Sequence, residues 1–530
     1  MKPNPIAIAQ LAPSFPAVSL QTAAEADQQL LGQARLKSAF STFLRLKHQG
    51  LFIADFDGIH RPALMKGLAI LAEQEFDYLF GRITRAQLFG GTESNGILAT
   101  SVLLFIDADS LLHKPRLWEM LVEAMLRNGY QRGEQWQQLT ARIILIGHAG
   151  YYSELLQLER NFQNTFSIFG DVADEVDLSQ ITLEEYVAWL QQLAQLTNCR
   201  LSSSAVNPLL NFSCQLTEHQ QRLSLASQVF IQLLQEATTV AGDVEVTGEH
   251  IRLAKQQRQF RHNAQEQLSA QNVDDAFIHL PTSGEMIGQI CGLTVIDSGD
   301  YVYGEPARIT ASVHYGDGEV ADIERKSELG GNIHAKGMMI LSSLMYQIFG
   351  RDAPLHLSAN IVFEQSYQEI DGDSASLAEY CCLISAISEQ PIAQGIAVTG
   401  ALDQFGNVQA IGGVNEKIEG FYNLCERRGL TGEQGVIIPR SNVQQLNLPE
   451  RIIAAVKNGQ FHLYEISHVD DAMELLMNKA TGKPDDADNF PEESLYGLVQ
   501  RRLDRLAGNG DEEDFSLFSR LLRKLKPGRI

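Results

Sequence analysis

Two apolar runs stand out in the first 165 residues, 97–106 (ILATSVLLFI) and 142–146 (RIILI). Gly or Asp bounds each run and polar residues follow, the pattern of buried strands. Between them, 115–127 places Leu117, Met120, Leu121 and Met125 on one helical face. Strand, helix, strand predicts a parallel α/β sheet. From residue 166 the period becomes that of amphipathic helices, at 183–196 and 217–234, followed by a polar, Gln-rich helix at 250–268. The second opens on Thr217 and Glu218 and spaces Leu223, Leu225, Val229, Leu233 and Leu234 at helical intervals. No strand pattern interrupts them, so a small helical domain is expected. After Pro281, glycine-bounded strand patterns (288–295, 307–313, 356–363, 392–399) alternate with helical ones (337–349, 375–388, 415–427). A polar linker, 478–493, precedes a short helix and an acidic cluster at 511–514. A last amphipathic stretch sets Phe515, Phe518, Leu522 and Leu525 beside five basic residues, a pattern that suits acidic membrane lipids or a partner groove but fits docking on the protein itself better.

Composition narrows the classes. The 530 residues are 44% apolar and 20% charged, which excludes a collagen-like, low-complexity or wholly disordered chain. Sixty-five acidic against 42 basic residues give a net charge of −23, a surface that repels phosphate backbones, so no nucleic-acid partner is expected. Cys199, Cys214, Cys291, Cys381, Cys382 and Cys425 form no C-x-x-C. A disulfide scaffold or Cys-rich zinc site is not expected, and a reducing compartment fits. No uncharged apolar run approaches the ~18–20 residues of a membrane span. Gln10 and Pro13 break the apolar stretch that begins at Ile6, so a secretory signal is not expected and the cytoplasm is the default.

The strand pattern ending in Asp107 has the form of a Walker B strand, whose Asp holds magnesium. Ala108 stands where a Glu would orient the attacking water. A P-loop, G-x-x-x-x-G-K-[ST], is what lets backbone N–H groups cradle phosphates. Gly482-Lys483 is the one Gly-Lys pair; it lies in the linker, Pro484 follows it, and Met477 stands where the first Gly belongs. Gly90, Gly91 and Gly96 form a turn-rich loop with no Lys after them. ATP is therefore not expected as a cofactor. No metal is expected either: there is no H-E-x-x-H, and His314 and His334 sit in strand-like and helix-start contexts read as structural.

The second half carries the chemistry. In 363–379 (FEQSYQEIDGDSASLAE), Ser374 stands where a loop becomes a helix. A nucleophilic serine gains there from unpaired backbone N–H groups and the helix dipole. The same pattern suits Asp373 or Ser374 as a simple N-cap. Lys417, 43 residues on in GGVNEKIEG (412–420), starts another helix. It is a base for serine if burial lowers its pKa, and an ordinary surface lysine near Glu416 and Glu419 if not.

With these residues in view, 281–478 resembles, colinearly, the proteolytic domain of Lon proteases, peptidases with a Ser–Lys dyad. The resemblance rests on GQICGLTV (288–295), GEPARI (304–309), DGDSAS (371–376), VTGAL (398–402), GNVQAIGGVNEKI (406–418) and GVIIP (435–439). The Gly-Asp-Ser-Ala-Ser form is similar to the B-type branch; the A-type branch has Pro where this chain has Asp373. The run DIERKSELGGNIHAKG (322–337) resembles a bacterial group of Lon homologues with a degenerate ATPase half. The first half resembles a worn Lon ATPase module, with Gly147-His148 where a sensor Asn would follow the strand.

The implied fold class is multidomain α/β and α+β. It comprises a degenerate AAA+-like α/β domain (1–165), a helical domain (166–280), a Lon-type α+β proteolytic domain (281–478), and a linker with a C-terminal amphipathic tail (479–530). By the resemblance Ser374 is the nucleophile, Lys417 the general base and Thr399 the threonine that hydrogen-bonds the lysine. It further implies a homo-hexameric ring and a serine endopeptidase that cuts unfolded proteins or short peptides without its own ATP hydrolysis. The alternative is a catalytically silent ring scaffold or regulatory protein; retention of Ser374, Thr399 and Lys417 together argues against it.

Overall fold

The structure, a computed structural model, describes residues 4–18, 20, 29–91, 94–299, 301–316, 320–350, 355–366, 370–487 and 489–508. The amphipathic stretch at 515–529 lies outside the described residues. The chain divides into two compact units, residues 15–258 and residues 1–14 with 259–530.

In the unit 15–258, β1 (Leu51–Asp55), β2 (Phe76–Leu79), β3 (Leu103–Asp107), β4 (Arg142–His148) and β5 (Ile168–Asp171) are all parallel. Their order across the sheet is β2-β3-β4-β1-β5. Every residue of β1 and β3 is buried, because both faces are covered. Leu51, Ile53 and Phe105 pack with Phe40 and Leu68, and Phe52, Leu104 and Ile106 with Trp118 and Leu121. Continuous apolar runs, not alternating ones, are what such a sheet needs. The run at 97–106 is only half strand. Ile97–Ala99 forms a 3-10 turn whose Leu98 carbonyl accepts from Thr140 and Ala141 N–H groups, 3.0 and 3.1 Å. After β1, a loop of residues 56–60 leads into α1 (Arg61–Ala72), with Pro62 in its first turn.

β5 lies beyond the boundary expected at 165, so the sheet runs on into the region read as helical. That region also holds an antiparallel pair, Glu175–Asp177 with Arg222–Ser224. α2 (Leu183–Leu196) has the expected bounds, started by a capping box between Thr182 and Glu185. The helix expected at 217–234 is instead two, α3 (Val206–Thr217) and α4 (Ser227–Ala241). Glu218, at φ 48°, ends α3, and the Thr217 hydroxyl donates to the Arg222 carbonyl at 2.9 Å rather than capping a start. Leu223 and Leu225 fit the helical period but reach the core from the intervening strand and turn. The Gln-rich stretch forms two helices, Gly248–His262 and Ala264–Asp274.

The other unit is built on β6 (Gln289–Asp297), β7 (Val302–Tyr315), β8 (Val320–Asp322), β9 (Leu357–Glu364), β10 (Ile396–Val398), β11 (Gly435–Pro439) and β12 (His462–Ile466). With Asn4–Pro5 they form one mixed eight-stranded sheet, in the order Asn4–Pro5, β12, β11, β10, β6, β7, β9, β8. The N-terminal segment thus pairs with β12 and buries Ile6 and Leu11 here, not in the domain expected for residues 1–165. The pattern at 392–399 is two short strands, Ile392–Ala393 and β10.

α5 (Asn332–Phe349) and α6 (Ser376–Ser388) pack on one face of the sheet, where Leu341, Leu377 and Ile384 meet Val398 and Ile437. α7 (Val414–Arg428) covers the other face, where Ile418 and Phe421 meet Ala397 and Val436. α6 is buried along nearly its whole length, as an all-round apolar helix must be. Residues 478–493 hold no helix or strand among those described, but α8 (Leu495–Leu506) packs Leu495, Tyr496 and Val499 back onto the α6 core. The segment expected as a linker is part of the folded unit at least to residue 508.

Candidate active site

Ser374, Thr399 and Lys417 arrive from three directions. Thr399 directly follows β10, its N–H on the Ile437 carbonyl at 3.1 Å. Ser374 comes from the loop entering α6 on one face of the sheet, and Lys417 from the first turn of α7 on the other. They meet at the carboxyl end of β10, the edge at which α/β sheets bind ligands. Lys417 Nζ donates to Ser374 Oγ at 2.8 Å and to Thr399 Oγ1 at 3.2 Å.

Local chemistry explains both approaches. The Ser374 carbonyl accepts from Gly400 N at 2.9 Å and from Thr399 Oγ1 at 3.3 Å. Ser376 Oγ donates to the Asp373 carbonyl at 2.8 Å and accepts from Leu402 N at 2.9 Å. The serine loop is therefore laced to residues 399–402. The N-cap of α6 is Ala375, without a side-chain hydrogen bond, so neither Asp373 nor Ser374 serves as a simple cap. On the lysine side, Gly413 starts α7 at φ 65°, where a Cβ would also strike Val295. Gly304 and Gly420 let α7 lie backbone against backbone on β7; a side chain at Gly304 would overlap the Glu416 carbonyl.

Lys417 is 3% exposed and Thr399 fully buried. The surface-lysine alternative thus does not hold. Burial pushes the Lys417 ammonium from its ordinary 10.5 down to about 8, while the charge of Asp373 acts the other way. Its hydrogen bonds go to two hydroxyls, and among the described residues no carboxylate pairs with it. A partly neutral amine in hydrogen-bond reach of a hydroxyl, next to a helix start, is equipped to deprotonate that hydroxyl.

A second polar centre lies in the unit 15–258, again at the carboxyl ends of parallel strands. β1 ends in Asp55 and β3 in Asp107. Arg61, the first residue of α1, spans both: Nε donates to Asp55 Oδ2 at 2.6 Å, Nη2 to Asp55 Oδ1 at 3.2 Å and Nη1 to Asp107 Oδ1 at 2.6 Å. Nη1 also reaches Tyr78 OH at 3.3 Å. Burial opposes the guanidinium charge, but Asp55, Tyr78 and Asp107 outweigh it and raise the pKa. Asp107 Oδ2 accepts from Ser110 N at 2.9 Å, so the strand-end carboxylate is engaged on both oxygens. The sequence pattern did not single out Asp55 or Arg61. The signal was an apolar strand, a short loop with Gly58 and a basic residue opening a helix, which a search for Gly-Lys-Ser/Thr passes over because Arg61-Pro62 stands there. His148 caps the helix after β4, its Nδ1 accepting from Gly150 N at 3.1 Å. Among the described residues no group of three or more His, Cys, Asp or Glu side chains is arranged to hold a metal ion. Nor is any helix there long and apolar enough to cross a membrane.

Residues 282–479 match the C-terminal proteolytic domain of Lon protease, and residues 200–261 match the AAA+ ATPase lid domain of archaeal LonB. The chain is 38% identical to the "Putative Lon protease homolog" of Haemophilus influenzae, over 71% of this chain and 62% of that protein. It is 36% identical to the protein of the same name from Escherichia coli, over 72% of this chain and 67% of that one. The archaeal Lon protease of Archaeoglobus fulgidus is 28% identical over 41% of this chain and 32% of its own length. The alignments thus span about two thirds of the bacterial relatives, 62% and 67%.

Proposed function

The chain belongs to the Lon protease family, and from that premise we propose that it is a serine endopeptidase working through a Ser374–Lys417 dyad. The observation that carries this is the contact between a buried Lys417 amine and the Ser374 hydroxyl at 2.8 Å. Neutral Lys417 accepts the serine proton as Oγ attacks the peptide carbonyl, then returns it to the leaving amine. A water activated by the same amine hydrolyses the acyl-enzyme. Thr399 holds the lysine rotamer, and the positive end of α6 favours the developing oxyanion.

The unit 15–258 is, on this reading, an AAA+-like module that no longer takes ATP. Its parallel sheet and the lid-domain match support the kinship. Arg61 supports the loss, because its guanidinium sits between the strand-end carboxylates where magnesium and phosphates would be held. Without ATP-driven threading the substrates are unfolded chains or short peptides. The assembly is a homo-hexamer, and the compartment is the cytoplasm.

The deciding experiment incubates the protein with an unfolded protein substrate, with and without ATP, beside Ser374→Ala. Cleavage that needs Ser374 and ignores ATP is expected; wild-type cleavage by Ser374→Ala would place the activity outside the dyad, and no cleavage by either protein would leave the scaffold alternative. Calorimetry should find no micromolar ATP affinity, and light scattering should find a ring rather than a monomer at micromolar protein.

A further inference from the structure

Three carboxylates and one imidazole are buried together behind the nucleophile loop. Glu379 on α6 is 1% exposed, His334 on the first turn of α5 2%, Glu324 3% and Asp322, ending β8, 8%. His334 Nε2 lies 3.2 Å from Asp322 Oδ2 and 3.8 Å from Glu379 Oε1. Neither Glu379 Oε1 nor His334 Nε2 makes a hydrogen bond, so the two meet as an ion pair and His334 is the group that offsets the Glu379 charge. Asp322 Oδ1 accepts from Glu324 N at 3.0 Å, and Glu324 Oε1 from Phe363 N at 2.6 Å. The Phe363 ring stands edge-on to His334, with centroids 5.9 Å apart. Burial pushes the Glu379 carboxyl up to about 7.

Such a cluster is a poor device for stability alone. Apolar side chains of like volume are commonly as stable as a buried ion pair or more so. Buried ionic contacts supply something else, a single register between the elements they join. Here the register concerns Ser374. Asp371 Oδ1, in the nucleophile loop, accepts from Ile333 N at 3.1 Å and His334 N at 3.4 Å. Gly331 N donates to the Ile370 carbonyl at 2.9 Å and Ile370 N to the Leu329 carbonyl at 2.8 Å. His334 is therefore held through its backbone to the loop before Ser374 and through its ring to the helix after it. Lys417 is seated separately, by α7 on the opposite face.

We propose that Glu379 and His334, backed by Asp322, are positioning residues that set Ser374 Oγ against Lys417 Nζ. The proposal rests on Ser374 being the nucleophile. The test uses the full chain as wild type, Glu379→Leu, Glu379→Gln and the double variant His334→Leu/Glu379→Leu. Peptide cleavage is measured together with covalent labelling of Ser374 by a fluorophosphonate, and circular dichroism gives the folded fraction. The Leu variants should fold, and should lose about 10- to 100-fold in kcat and labelling rate at unchanged KM, since a displacement of about 1 Å suffices for that. Glu379→Gln, which keeps the shape and a carbonyl oxygen facing His334 but drops the charge, should recover part of the loss. Leu variants that react at the wild-type rate overturn the proposal. Leu variants that do not fold also overturn it, because the cluster would then be a stability element. A wild-type protein whose Ser374 is neither labelled nor needed for cleavage overturns the dyad as well; a reactive wild type beside equally reactive variants overturns the positioning role alone.

Discussion

Arg61 and Lys417 occupy similar places with opposite consequences. Each stands in the first turn of a helix beside the carboxyl end of a parallel strand, and each makes short contacts to groups brought from elsewhere in the chain. Arg61 meets two carboxylates, both at 2.6 Å. Lys417 meets two hydroxyls, at 2.8 and 3.2 Å. Two carboxylates hold a cation charged; two hydroxyls inside a dry site leave it close to losing its proton. The side chains reinforce the contrast, because a guanidinium does not deprotonate in a protein and an ammonium can. A basic residue at a helix start is thus an ion-paired brace or a base according to what faces it and how well water is excluded.

The comparison is broken most sharply at the dyad. Ser374→Ala, and Lys417→Arg, which puts a guanidinium in the hydroxyl site, should each lower peptide cleavage by on the order of 10³-fold or more, read as initial rates at saturating peptide. Next comes the brace. Arg61→Ala leaves Asp55 and Asp107 facing one another unpaired, and should cost the unit 15–258 about 2–3 kcal/mol in urea unfolding, a value discounted for the partial exposure of the arginine. Magnesium-ATP should not restore that loss. Thr399→Val removes the lysine's orienting hydroxyl but spares nucleophile and base; a fall in kcat of roughly 10-fold is expected, without abolition.

The smallest effect sharpens the contrast by titration. Lys417 acts only when neutral, so the rate should rise with pH through about 8 and level off above it. Asp373 favours the ammonium, so Asp373→Asn should move that midpoint to lower pH and raise the rate a few-fold near pH 7. A midpoint that stays put or moves up would show that Asp373 does not act on Lys417 through its charge.

Much of the scaffold could be read from local pattern. The apolar run at 142–146 became β4, 183–196 became α2 with the same bounds, and the starts of α6 and α7 lie within two residues of those expected. The pattern failed at 217–234 because leucines in a short strand and the turn after it mimic a helical period when a left-handed residue such as Glu218 goes unnoticed. It failed at residue 165 because β5, only four residues long, gives too little apolar run to register. The N-terminal pairing with β12 left no local trace, since two residues at a sheet edge carry no periodicity.

The amino-acid order was enough to place a serine and a lysine at two helix starts and a threonine at a strand end, because caps, glycines and apolar periods are properties of neighbouring residues. It could not say that the first two lie 2.8 Å apart, since that distance depends on α6 and α7 packing on opposite faces of one sheet and converging past its edge. Nor could it say that Lys417 is dry, that Arg61 reaches an aspartate 46 residues away, or that Glu379 is buried against His334. Proton affinity follows from the dielectric and the charges around a group, and these are assembled from segments far apart in the chain, so they come into being only when it folds.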